Sequence, residues 1–256
     1  KPIVFKSQYP LLTLCRVILF FFGFSSFYVS LTVLPLGTAT ALFFVTPFLI
    51  TIFAHFFLKE QIGPRRWLAV VVGFIGVYIT LDPDFSDFNY LSLLPILCAF
   101  CYSLSMIIIK KTSDKDSVYT QTFTFYLGAI FFSIIFYFTI GDGQYNTLDH
   151  PASQFIFREW FVDLENSILW MIATGFTATV AFLLLFTAYS IASPSVVSPF
   201  EYSILLWSPL VGWLYFGEIP TTNTIIGIFI IVSSGIYIFM REKAQDQLIV
   251  TEKPLR

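Results

Sequence analysis

Glu201 is a carboxylate in an otherwise apolar stretch, VVSPFEYSILLWSPLVGWLYF. In hydrocarbon an ionisable group costs roughly 2.5–3.5 kcal/mol or more, so it needs a partner or a task. It stands about six residues, hence about 9 Å, inside its apolar run. At that depth a carboxylate can receive a cationic amine or carry a proton. The plainer reading is a first-turn glutamate favoured by the helix dipole and reached by water. Arg16 lies at a similar depth in the first apolar run. It can pair with Glu201 and act as a gate or a solute partner, or it can snorkel to headgroups. Tyr102 stands about 12 Å before Lys110 by helix rise, deep enough to offer its phenol to a solute or simply to pack. His55, near Glu60, is a proton-relay candidate whose alternative is interfacial packing. His150 sits in a polar loop without the neighbours of a catalytic centre. Cys98 and Cys101 have CxxC spacing, but hydrocarbon disfavours thiolate and no further ligand stands nearby. They read as small packing residues, and neither a metal nor a cofactor is expected.

The elements that must position these groups follow from composition. Of 256 residues, 57% are hydrophobic and only 12% charged, where a soluble chain carries nearer 25% charge. The outer surface is therefore expected to face lipid. A net charge of −2 gives no basic field and excludes nucleic acid as a partner. Apolar runs bounded by polar loops predict eight spanning helices at about 11–32, 37–58, 67–81, 90–109, 118–140, 168–191, 195–216 and 224–240. The runs are too long for barrel strands, so the expected class is an all-α integral membrane protein.

Basic residues sort by loop. Lys59, Arg65, Arg66, Lys110, Lys111, Lys115, Arg241, Lys243, Lys1, Lys6, Lys253 and Arg256 share one side if the helices alternate. The other side holds Arg158 among Asp82, Asp84, Asp87, Asp142, Asp149, Glu159, Asp163, Glu165 and Glu218. That asymmetry predicts cytoplasmic N- and C-termini.

A shift of 158 residues lays 28–60 over 186–218 without a gap and carries Glu60 onto Glu218. One inserted residue later, GVYI at 76–79 meets GIYI at 235–238. The matched loops fall on opposite sides by charge, which predicts inverted repeats. Five helices follow residue 90 and only three precede it. An odd number per repeat is needed for inversion, so a ten-helix (5+5) plan is expected, with two helices absent ahead of residue 11, on the order of 60–70 residues. Expected boundaries are 1–81 for a partial first repeat, 90–240 for a second and 241–256 for a cytoplasmic tail. Glu60 and Glu218 mark the turns of both repeats and read as structural. Pro47, Pro199 and Pro209 are candidate helix kinks, and interrupted helices in two repeats point to a central site. Glu201 lies on one of them, and its counterpart by the shift is Phe43.

The stretch LPLGTATALFFVTPFLITIFAHFFLKEQIGPRRWLAVVVGFIGVYIT at 34–80 resembles the EamA domain of the drug/metabolite transporter superfamily. The segment at 192–227 resembles a second copy, and its PFEY and LLW elements, which include Tyr202 and Trp207, are similar to a subgroup of S-adenosylmethionine uptake and riboflavin permeases. The resemblance implies a secondary-active permease for a small organic metabolite, working by alternating access. A cationic or zwitterionic solute is expected, such as S-adenosylmethionine, an amino acid derivative or a vitamin. The alternatives are a membrane-embedded enzyme, a channel or a structural membrane protein. Candidate substrate-binding or coupling residues are Glu201, Arg16, Tyr102, Tyr202, Phe43 and Trp207. Candidate partners are the solute, the lipid bilayer, a proton as coupling ion and a second copy in a homodimer. The expected location is a bacterial inner membrane.

Overall fold

Prolines and small polar residues set the helix ends. A computed structural model describes residues 6–60, 63–81, 89–147 and 149–244, and every regular element among them is helical. α1 (Pro10–Ser30) opens on a proline, whose missing N–H is not needed in a first turn. α2 (Leu36–Phe43), α3 (Thr46–Leu58) and α4 (Pro64–Leu81) follow. A 3-10 turn at Tyr90–Leu93, capped by Asn89, leads into α5 (Leu94–Thr112). α6 (Val118–Ile140) begins at Ser117, whose hydroxyl accepts from the Thr120 N–H at 3.1 Å. α7 (Pro151–Phe157) is a short helix ahead of α8 (Leu164–Ile191). The chain continues as α9 (Pro194–Val197), a 3-10 stretch at Ser198–Ser203, α10 (Ile204–Phe216) and α11 (Thr222–Ala244).

Several boundaries differ from the sequence expectation. The span expected at 37–58 is two helices, because Pro47 has no N–H to give the Phe43 carbonyl. The Thr46 hydroxyl donates to that carbonyl instead, at 2.5 Å. The span expected at 195–216 is divided by the 3-10 stretch that contains Pro199. Pro209, however, sits inside α10 without ending it. A Cβ placed on Gly37 would stand 3.4 Å from Pro209 Cα, so α2 braces the helix at that point. α7 has no counterpart in the apolar pattern. Lys1, Asp82, Asp84, Asp87 and the tail beyond Ala244, with Lys253 and Arg256, lie outside the described residues. So do the side chains of Arg66, Pro199, Arg241 and Lys243.

Among the described residues, five helical stretches are long and apolar enough to cross a bilayer: Pro10–Ser30, Leu36–Leu58, Tyr90–Thr112, Val118–Ile140 and Leu164–Ile191. Trp67–Leu81 and Thr222–Tyr237 are apolar but shorter. α8 presents Trp170 and Phe176 outward, 73% and 72% exposed, which suits lipid rather than water. Without a hydrophobic drive between helices in lipid, close approach depends on small residues. α4 packs along α11, where a Cβ on Gly76 would come within 3.1 Å of the Gly227 carbonyl oxygen. α1 packs along α5, where Gly23 meets Cys101. The α2–α3 pair crosses the α9–α10 pair in opposite sense, α2 against α10 and α3 against α9. The site lies between this crossing and the group formed by α1, α5 and α8.

Candidate functional site

The 3-10 stretch after α9 decides which way Glu201 points. At about three residues per turn, neighbours diverge by about 120°, so Glu201 and Tyr202 cannot share a face. Glu201 turns toward α5 and α8. Its Oε1 accepts from the Tyr189 phenol at 2.6 Å and from the Tyr102 phenol at 3.0 Å. Both phenols use the same oxygen, and among the described residues Oε2 takes no hydrogen bond. Tyr102 comes from the middle of α5 and Tyr189 from the last turn of α8.

This cluster borders a cavity of about 600 Å³ whose lining is otherwise largely apolar, with the rings of Phe24, Phe43, Phe182 and Trp207 among its walls. Phe43 sits at the end of α2, its ring 5.4 Å from that of Tyr102. Trp207 lies one helical turn beyond the 3-10 stretch and is 62% exposed at the cavity's edge. Glu201 is the one carboxylate among the lining residues described. A larger groove of about 830 Å³ lies on the flank between α1, α6 and α8, below α7. Its charged groups, Arg158, Glu159 and Asp163, are exposed in the loop before α8, so the smaller cavity is the one built around a buried polar cluster.

Four of the six sequence candidates, Glu201, Tyr102, Phe43 and Trp207, line this cavity. Tyr202 does not. Its buried ring packs between Phe44 and Phe48, under Gly235 of α11, as the 3-10 geometry requires. Arg16 is not paired with Glu201 either. It is 2% exposed and directed at α6, with Nη2 donating to the Gln121 carbonyl at 2.6 Å and to Thr124 Oγ1 at 3.3 Å. Its Nη1 donates to Gln121 Oε1 at 3.2 Å, and the guanidinium stands 5.4 Å from the Phe186 ring centroid. Helix rise gives a residue's position along its helix, but rotation about α1 is set by packing, and it turns Arg16 away from the cavity. Tyr189 was not among the candidates. It is one of thirteen tyrosines, and no spacing rule separates it from the rest.

The histidines and the two turn glutamates singled out in the sequence have structural partners. His55 Nδ1 is 2.8 Å from the Glu60 carbonyl oxygen, and its ring stands edge-on to Trp67 at 5.9 Å. His150 caps α7, its Nδ1 accepting from the Ala152 N–H at 3.2 Å. Glu218 Oε2 accepts from the Leu36 N–H at 2.7 Å and so caps α2. Glu60 Oε1 accepts from the Ser193 hydroxyl at 2.5 Å. Among the described residues, no three His, Cys, Asp or Glu side chains gather in a metal-binding group.

Comparison with known proteins bears on what this arrangement serves. The chain is 29% identical over 238 residues to the S-adenosylmethionine uptake transporter of Rickettsia bellii (strain RML369-C), covering 93% of this chain and 75% of that protein. It is 30% identical to the protein of the same name from Rickettsia felis (strain ATCC VR-1525 / URRWXCal2), over 93% of this chain and 74% of the relative. The riboflavin transporter of Rhizobium johnstonii (strain DSM 114642 / LMG 32736 / 3841) is 28% identical over 94% of this chain and 74% of its own length. A crystal structure at 16% identity superposes with a TM-score of 0.63 over 95% of this chain and 80% of the other, a likeness of fold. The model of the EamA-like transporter family matches residues 2–82 and 90–240. With five bilayer-length apolar stretches among the described residues and a family match over most of its length, the chain is an integral membrane transporter rather than an enzyme, and it belongs to the EamA-like transporter family.

Proposed function

We propose that the chain carries a small organic cation or zwitterion across a membrane by alternating access, with Glu201 as the group that receives the positive charge. The observation that carries this reading is the cluster at Glu201. Two phenols hold Oε1, and Oε2 is left for a ligand in a cavity walled by aromatic rings. Aromatic faces attract cations, and the attraction grows when water is displaced. A carboxylate beside such faces selects positive charge over a neutral solute of the same shape. Two relatives named for S-adenosylmethionine uptake support a sulfonium or ammonium solute. Phe43 and Trp207 serve as aromatic walls and Tyr102 as a hydrogen-bond donor. Arg16, on the α6 side of the Phe186 ring, supports α1 and α6 and attracts anionic groups toward that end of the bundle.

The same reading covers the architecture. The stretches 1–81 and 90–240 are inverted copies of one helix plan, and 241–256 is a tail. Support comes from backbone details that recur at the 158-residue shift. Lys59 and Gly217 both have left-handed φ, 59° and 69°. Glu60 N bonds Ala54 O at 3.2 Å, and Glu218 N bonds Gly212 O at 3.1 Å. Opposite-sense packing of the α2–α3 and α9–α10 pairs fits an in-plane two-fold axis. By the distribution of lysine and arginine, both termini face the cytoplasm across a bacterial inner membrane. Glu201 is also the group proposed to bind a coupling proton, and the exposed flanks of α6 and α8 are where a second copy would meet this one.

The test is flux. In proteoliposomes, radiolabelled S-adenosylmethionine should enter saturably and be accelerated by unlabelled S-adenosylmethionine inside. Absence of saturable entry, or an ionic conductance in its place, would contradict a carrier for this class of solute.

A further inference from the structure

The corner between α8 and α9 is held by two charged side chains from elsewhere in the bundle. Lys110, in the last turn of α5, donates Nζ to the Ser190 carbonyl at 3.3 Å and to the Ile191 carbonyl at 3.5 Å. Those carbonyls end α8, where backbone acceptors lack helical partners and a cation is favoured. Glu60, just past α3, accepts from Ser193 Oγ at 2.5 Å on the other side of the same corner. The Glu60 carboxylate and the Lys110 ammonium also attract each other. Lysine thus grips the backbone and glutamate the Ser193 hydroxyl of one short segment.

Tyr189 immediately precedes Ser190, and its phenol makes the shorter of the two bonds to Glu201. The other phenol, Tyr102, is on the same helix as Lys110, eight residues earlier. α5 therefore meets α8 twice: through Tyr102, Glu201 and Tyr189 at the cavity, and through Lys110 at the helix end. We infer that Lys110 and Glu60 are positioning residues of the Glu201 site. They clamp the α8–α9 corner so that the Tyr189 phenol stays on Glu201, and letting go of this clamp opens the bundle beneath the cavity. The inference rests on the reading of Glu201 as the solute group, but the contacts that make the clamp lie outside the cavity.

Ser190 reports on the corner without touching solute. Its side chain is buried, and cysteine replaces it with little change of shape. The experiment places Ser190→Cys in a Cys15→Ser background of the full chain, since Cys15 is exposed and Cys98 and Cys101 are buried. The readout is the rate of labelling by a polar maleimide in detergent. Labelling of a buried thiol follows local opening, so Lys110→Met and Glu60→Ala should each accelerate it by about tenfold. Lys110→Arg, which keeps the charge and the donor, should stay slow. Glu218→Ala removes a comparable contact at the start of α2 and should also stay slow, which separates release of this corner from general loosening. Native rates in both Lys110→Met and Glu60→Ala, or equal acceleration in Glu218→Ala, would overturn the inference. Normal solute binding by Glu201→Gln would sink the site reading and leave this labelling result unaffected.

Discussion

Glu60 and Glu218 exchange places: each lies just past the end of one broken helix and binds the start of the other. Glu218 takes the Leu36 N–H at 2.7 Å, and Glu60 takes the Ser193 hydroxyl at 2.5 Å. The atoms differ for a reason that the shift explains. The counterpart of Leu36 is Pro194, which has no N–H, so the hydroxyl of the preceding serine donates in its place. The counterpart of Ser193 is Pro35, which has no hydroxyl, so the backbone of Leu36 donates.

That exchange makes the two glutamates stability residues with a chemical signature. Glu218→Ala leaves the α2 N-terminus without its acceptor and should destabilise by about 1 kcal/mol. Glu218→Gln keeps a side-chain oxygen and should lose about half of that or less. Thermal unfolding in detergent distinguishes the two, and equal losses would argue against a capping role.

Much of the candidate site is legible in the sequence. Glu201 stood out because one carboxylate in a long apolar run is costly, and the cavity forms beside it. Tyr102 could be placed along its helix by helix rise alone. What helix rise cannot supply is rotation, which turned Arg16 toward Gln121 and Tyr202 into the core. Pro47 and Pro209 look alike in sequence, yet only the first coincides with a break, because it falls in the first turn of α3 while α2 braces the second. Tyr189 was invisible because its importance comes from a neighbour twelve residues on, across a corner that sequence does not draw.

Lys59 carries a positive φ of 59° where its counterpart is glycine, Gly217, at 69°. A side chain in that region costs roughly 1–2 kcal/mol. Lys59→Gly should therefore stabilise the chain by about 1 kcal/mol, and Gly217→Ala should destabilise it by a similar amount. Paired melting curves check both signs at once.

The α4–α11 contact should be intolerant of volume. A Cβ on Gly227 would come within 2.7 Å of the Gly76 carbonyl oxygen, a backbone atom that cannot swing away. Gly227→Ala should cost about 1–3 kcal/mol. Gly175 in α8 has nothing within 4 Å of such a Cβ, so Gly175→Ala, the control in the same unfolding assay, should stabilise by about 0.5–1 kcal/mol instead.

The two phenols should differ in weight. Hydrogen bonds to a charged group contribute about 1.5–3 kcal/mol, and the Tyr189 bond is the shorter one. Tyr189→Phe should raise the apparent KM for S-adenosylmethionine uptake by about tenfold, and Tyr102→Phe by less, because each loosens the orientation of Glu201. A larger effect at Tyr102 would reverse the assigned roles.

Equilibrium binding of radiolabelled S-adenosylmethionine to the purified chain, native against Glu201→Gln, is the most direct test of the site. Glutamine nearly matches glutamate in shape and can still accept from both phenols, so the change removes the charge while leaving the cavity in place. A charge-assisted contact of about 1.5–3 kcal/mol corresponds to a loss of affinity of about 10- to 150-fold in Glu201→Gln. Equal affinity in the two proteins would contradict Glu201 as the group that receives the solute's positive charge.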